Sequence, residues 1–150
     1  MAEKTIQDWF NEYGESHQNP TNKLIHWVCV PSIFFSIVCL FSLVPIAGVL
    51  NLAGILMIFA TVFYARLSPK LAIGLLLFYF VCFWGAIGLS KLSFALWKTA
   101  LIIFILAWLG QFYGHQIEGK KPSFIKDLQF LLIGPAWLLG FVYQRFGIKY

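Results

Sequence analysis

No charged residue occurs between Lys23 and Arg66. The 42 residues in between, 24–65, are enough for two membrane-crossing helices of about 20 residues each. One unbroken helix of that length would overshoot a bilayer core of roughly 30 Å. The chain must therefore turn within the run, and Ser42-Leu43-Val44-Pro45 supplies the break. We read one span near Trp27–Val44 and a second near Ile46–Ala65.

The rest of the chain continues the pattern. An uncharged run covers Leu71–Ser90, and another runs from Leu96 to Tyr113, with Lys98 placed to snorkel near its start. A fifth, Leu128–Tyr143, is shorter and holds Gly134-Pro135; its length fits a kinked span, a re-entrant segment or an interfacial helix. Composition agrees, with 60% hydrophobic and 11% charged residues where soluble domains carry about 25% charge. The expected fold is all-α: one integral membrane domain over residues 1–150, a polytopic bundle of four spans plus the short fifth segment.

The first 22 residues are polar and carry four acids, so they predict no cleavable signal. Ile6, Trp9, Phe10 and Tyr13 fall at i, i+3, i+4, i+7, one face of an amphipathic helix. Thr5 and Asp8 have capping-box spacing, and Gly14 is the expected stop. Residues 1–25 are thus expected to form an interfacial segment that lies on the membrane surface or packs over the bundle mouth.

The net charge of +5 does not indicate nucleic acid. The eleven Lys and Arg stand singly between apolar runs, apart from Lys120-Lys121, which is the pattern of loop charge. With the amino terminus inside, Lys4, Lys23, Arg66, Lys70, Lys120, Lys121 and Lys126 lie inside and Lys91 and Lys98 outside. Arg145 and Lys149 join either side according to the path of the fifth segment. The bias predicts a cytoplasmic amino terminus, in a bacterial inner membrane or, in a eukaryote, the endoplasmic reticulum. Cys29, Cys39 and Cys82 lie in apolar runs without metal or disulfide spacing.

This topology carries the chain's three histidines, His17, His26 and His115, to one membrane face. Asn19-Pro20 is a strong helix start, after which Asn22 and His26 share a helix face. Gln111, His115 and Glu118 form a second polar stripe, and Gly119 and Pro122 end that helix. Ionisable groups aligned at a span's end point into a bundle more often than toward lipid. Each histidine alone could be an interfacial residue; three of them with a carboxylate suggest a metal site. Imidazole and carboxylate suit Fe(II), Mn or Zn, and spacing does not separate oxygen-activating iron from hydroxide-forming zinc. Templates for a nucleophile elbow, a P-loop, a dinucleotide fold and H-E-x-x-H are absent.

Two stretches carry a resemblance. Tyr13-x3-His17-x-Asn19-x2-Asn22-x3-His26-x4-Pro31 and Gln111-x2-Gly114-His115-x2-Glu118-x3-Pro122 are similar to signatures of the yeast-type 2-hydroxy fatty acid dioxygenase family. The likeness extends through Gly134-Pro135-Ala136-Trp137 and suits a compact, bacterial-like member. It implies an Fe(2+)-dependent enzyme that uses O2 to shorten long-chain 2-hydroxy fatty acids by one carbon. His17, His26 and His115 would be the metal ligands and catalytic residues. Glu118 is a catalytic candidate or, with Asn22 and Gln111, outer support that orients an imidazole. Lys23, Arg66 and Lys120 are candidate partners of the substrate carboxylate by charge placement. The competing readings are a zinc-dependent membrane lipid hydrolase and a non-enzymatic transporter or scaffold.

Overall fold

A computed structural model describes residues 4–48, 50–92, 95–119 and 130–150. Helix α1 (Ile6–Gly14) begins at the anticipated capping box: Thr5 accepts from the Asp8 amide while the Asp8 carboxylate accepts from the Thr5 amide. Asn19 caps α2 (Pro20–Ser42) through its side-chain oxygen, with Pro20 as the first helical residue. The helix runs through Pro31 and ends at the expected break.

The second apolar run differs from a full-length span. A short hairpin, β1 (Pro45–Ala47) with β2 (Leu50–Asn51), takes up its start, and Asn51 caps α3 (Leu52–Leu67), a helix of 16 residues. Pro45 and Asn51 dictate this, the first by lacking an amide donor and the second by offering an N-cap. Ser68 caps α4 (Pro69–Ser90), and α5 (Leu96–Ile117) returns to the starting face. Among the described residues, α2, α4 and α5 are long and apolar enough to cross a membrane, and α3 is apolar but shorter. Side chains such as Phe59, Val81 and Leu106, each more than 60% exposed, form the belt that such a bundle turns to lipid.

The fifth segment resolves as α6 (Ile133–Arg145), 13 residues long; its predicted beginning, before residue 130, lies outside the described residues. At one end the Tyr64 hydroxyl, near the close of α3, donates to the Leu132 carbonyl. At the other the Tyr143 hydroxyl donates to the Lys70 carbonyl, at the start of α4. Both ends of α6 are therefore tied to the same end of the bundle. Phe10 and Tyr13 of α1 pack with Trp137 and Tyr150, so α1 covers the bundle mouth.

Helices α2 and α5 are the most extensively packed pair. They pack tightly at Gly114, where an added methyl would collide with the Asn22 side-chain oxygen and touch His26. One turn earlier, a methyl on Gly110 would lie 2.6 Å from the Cys29 sulfur. These glycines let the two polar stripes meet face to face.

Candidate metal centre

Three elements deliver one histidine each. His17 follows the end of α1, His26 sits two turns into α2, and His115 lies in the last turn of α5. Their rings converge edge to face, with centroids 4.3 Å apart for His17–His26, 5.1 Å for His26–His115 and 5.3 Å for His17–His115. One nitrogen from each falls within 4.8 Å of the others, and all three side chains are buried.

The hydrogen bonds fix which nitrogens face inward. His17 Nδ1 lies 2.6 Å from the Tyr13 carbonyl, and His26 Nδ1 lies 2.9 Å from the Asn22 carbonyl. A carbonyl only accepts, so each Nδ1 carries the proton and each Nε2 keeps its lone pair. Among the described residues, neither Nε2 atom, both buried, has a hydrogen-bond partner. Orphaned buried acceptors are costly, and two aimed into one cluster of imidazoles are what a metal ion would satisfy. Backbone carbonyls holding the remote nitrogens are the usual second layer of a histidine–metal site. The donor set, three imidazoles and no thiolate, fits iron or zinc equally.

Electrostatics agree with that assignment. Burial holds the His17 imidazole far below its ordinary range, at about 3, and the nearby His26 pushes the same way. His17 is therefore neutral near pH 7, as a metal ligand must be.

Glu118 converges on the loop before α2 rather than on the imidazoles. Its carboxylate accepts from the Gln18 amide at 2.7 Å, the Asn19 amide at 2.9 Å and the Asn22 side-chain amide at 3.0 Å. Burial raises its pKa, but the Asn22, Asn19 and Gln18 donors outweigh it and leave the carboxyl below its usual value. Asn22, fully buried, also donates to the Ser16 carbonyl at 3.1 Å, while its own carbonyl holds His26. Gly119, in the left-handed region at φ +72°, turns the chain after Glu118.

Gln111 is buried beside His17 and His115 around a cavity of about 10 Å³, room for one water. Lys23 is half-buried in the first turn of α2 and Arg66 is exposed at the end of α3. Among the described residues no hydrogen bond or ion pair joins either to the imidazoles, and Lys120 lies outside the described residues.

Tyr13 and Trp137 complete the site, and the sequence reading had given neither a role in it. Tyr13 stacks on His17 with centroids 4.1 Å apart and an interplanar angle of 12°, and Trp137 lies 5.5 Å from the same ring. The signal for Tyr13 was its i, i+4 spacing to His17. Trp137 reaches the site only through the path of α6, which no local pattern reveals.

The sequence matches, over residues 3–146, the profile of a family described as 2-hydroxy-palmitic acid dioxygenase Mpo1-like. It is also 32% identical over 137 residues to the 2-hydroxy-palmitic acid dioxygenase MPO1 of Saccharomyces cerevisiae, covering 85% of this chain and 73% of the yeast protein. The chain belongs to the Mpo1-like family. No solved structure matches it. The Mpo1-like match spans all three histidines, so the buried cluster lies within the family's shared region.

Proposed function

We propose that this chain is an Fe(2+)-dependent dioxygenase that converts a long-chain 2-hydroxy fatty acid and O2 to the acid one carbon shorter, CO2 and water. The observation that carries the reading is the buried trio of imidazoles with two orphaned Nε2 lone pairs, in a member of a family described as a 2-hydroxy-palmitic acid dioxygenase.

The reaction balances without a further reductant. R-CH(OH)-COOH and O2 together contain the atoms of R-COOH, CO2 and H2O. Oxidising the hydroxyl-bearing carbon to a carboxyl while the original carboxyl leaves as CO2 supplies the four electrons that O2 takes up. Iron, when bound, supplies the redox centre at which hydroxy acid and O2 meet. No nicotinamide, flavin or 2-oxoglutarate is then needed.

The protein's own part is positioning. Tyr13 and Asn22 hold the His17 and His26 rings through their carbonyls, presenting both Nε2 atoms. Glu118 acts as a positioning residue, clamping the loop that carries His17 to the end of α5 that carries His115. Tyr13 and Trp137 cover His17 and exclude bulk water. Lys23, three residues before His26 on α2, is our candidate partner for the substrate carboxylate, with Arg66 and Lys120 as alternatives. Loop charge favours a cytoplasmic position for this end of the bundle, where an acyl chain can remain in the bilayer while its polar head reaches the site.

Two measurements test the reading. Purified protein should hold about one iron per chain and consume O2 only when a 2-hydroxy acid is added. Cells that express it, fed such an acid, should accumulate the acid one carbon shorter. Stoichiometric zinc with no oxygen uptake would replace the oxygenase by a zinc hydrolase, which the same imidazoles could serve.

A further inference from the structure

Beside the metal cluster lies an apolar groove of about 390 Å³ between α2 and α3, within the range of small-molecule pockets. Its α2 wall is Phe34, Ile37, Val38 and Phe41, at i, i+3, i+4 and i+7. Its α3 wall repeats that spacing with Ala53, Leu56, Met57 and Ala60. Two positions of that wall, Ala53 and Ala60, carry only a methyl group. Leu131 closes the near end, and it also lines the small cavity bounded by His17, Gln111 and His115. The groove and the cavity beside the imidazoles therefore share a wall residue.

Resting on the function proposed above, we infer that this groove holds the acyl chain of the 2-hydroxy acid, and that Ala60 and Ala53 set how long a chain fits. From His26 to Phe41 is fifteen residues of helix, about 22 Å at 1.5 Å per residue. One leaflet's acyl chains span roughly 15 Å. The remainder leaves room for the carboxylate and hydroxyl at the imidazoles. The walls are almost wholly apolar, so they bind by burial and discriminate by length, not by hydrogen bonding. Because α2 and α3 run antiparallel, Ala60 lies nearer the metal end and Ala53 nearer the far end.

The test uses the full-length chain in nanodiscs and 2-hydroxypalmitate bearing a diazirine on its terminal carbon, with crosslinks mapped by mass spectrometry. The expected result is saturable labelling of the Phe41 and Ala53–Met57 region, competed by unmodified 2-hydroxypalmitate. Saturable labelling of the neighbouring groove around Pro31, Leu75 and Leu138 instead would overturn the assignment and leave the function standing. Absence of any saturable labelling would overturn both. Ala60→Phe and Ala53→Phe, each checked for iron content to confirm folding, give the second readout. Both should move the kcat/KM ratio away from 2-hydroxypalmitate toward 2-hydroxydecanoate, Ala60→Phe by roughly tenfold or more and Ala53→Phe by less. An unmoved ratio in iron-loaded variants would overturn the groove as the chain site.

Discussion

The Asn22 side-chain amide donates a 3.0 Å hydrogen bond to the Glu118 carboxylate, joining the first turn of α2 to the residue that ends α5. The same carboxylate takes the Gln18 and Asn19 amides, so one acid fixes the loop that aims His17. Glu118→Gln offers one oxygen where two now accept, and turns an amide donor toward backbone donors. Metal affinity should fall about 10–100-fold without being abolished. Titration of metal-free protein with Fe(2+) checks this, and unchanged affinity would remove Glu118 from the site.

Each histidine supplies one of three inward nitrogens, leaving no redundancy. His17→Ala, His26→Ala and His115→Ala should each lose metal on passage over a desalting column. Full retention by any one variant would strike that residue from the ligand set.

Gly114→Ala should behave as a site mutation although it removes no polar group. Its methyl would meet the Asn22 oxygen and His26, forcing α2 away from α5. Overpacking of this kind costs about 1–3 kcal/mol. A lowered Tm together with weakened metal binding is expected. Gly88→Ala, whose methyl meets nothing within 4 Å, is the control and should change neither.

The pH dependence of the metal-free protein follows from His17. Unfolded, the imidazole titrates near 6.5; folded, at about 3. Above pH 6.5 it is neutral in both states and costs nothing. As pH falls below 6.5 the unfolded chain takes a proton that the folded site refuses, so stability is lost progressively down to about pH 3. Tm should therefore fall as pH is lowered through this window, and His17→Gln should shallow the slope. An identical slope in the variant would contradict the burial of a neutral His17.

With both ends of α6 tied to the metal end, Lys4 and Lys149 belong on one side of the membrane and Lys91 on the other. Single cysteines at these positions, probed with an impermeant thiol reagent, should label accordingly, because the three native cysteines are buried. Opposite sidedness of positions 4 and 149 would mean that α6 spans.

The part of this architecture legible in sequence is the part that periodicity and charge control. Uncharged runs marked the long helices, Asn19-Pro20 and Thr5/Asp8 marked two helix starts, and topology alone brought His17, His26 and His115 to one face. The hairpin at residues 45–51 and the shortness of α3 were hidden, because an apolar run has the same composition whether it is coiled into helix or turned back on itself. The course of α6 was hidden too: a helix of 13 residues, apolar up to Gln144 and Arg145, suits several depths, and what decides is a pair of tyrosine bonds from α3 and to α4. Glu118 shared a stripe with His115, yet its partners come from a loop a hundred residues away, which helical spacing does not report.

The most direct test of the central claim is the stoichiometry of a single closed reaction. Iron-loaded protein, 2-hydroxypalmitate and a measured quantity of O2 are sealed without reductant, and O2, shortened acid and CO2 are counted. The account predicts one shortened acid and one CO2 for each O2 over many turnovers. Product formed equally well without O2, or only with a reductant consumed mole for mole, would contradict it.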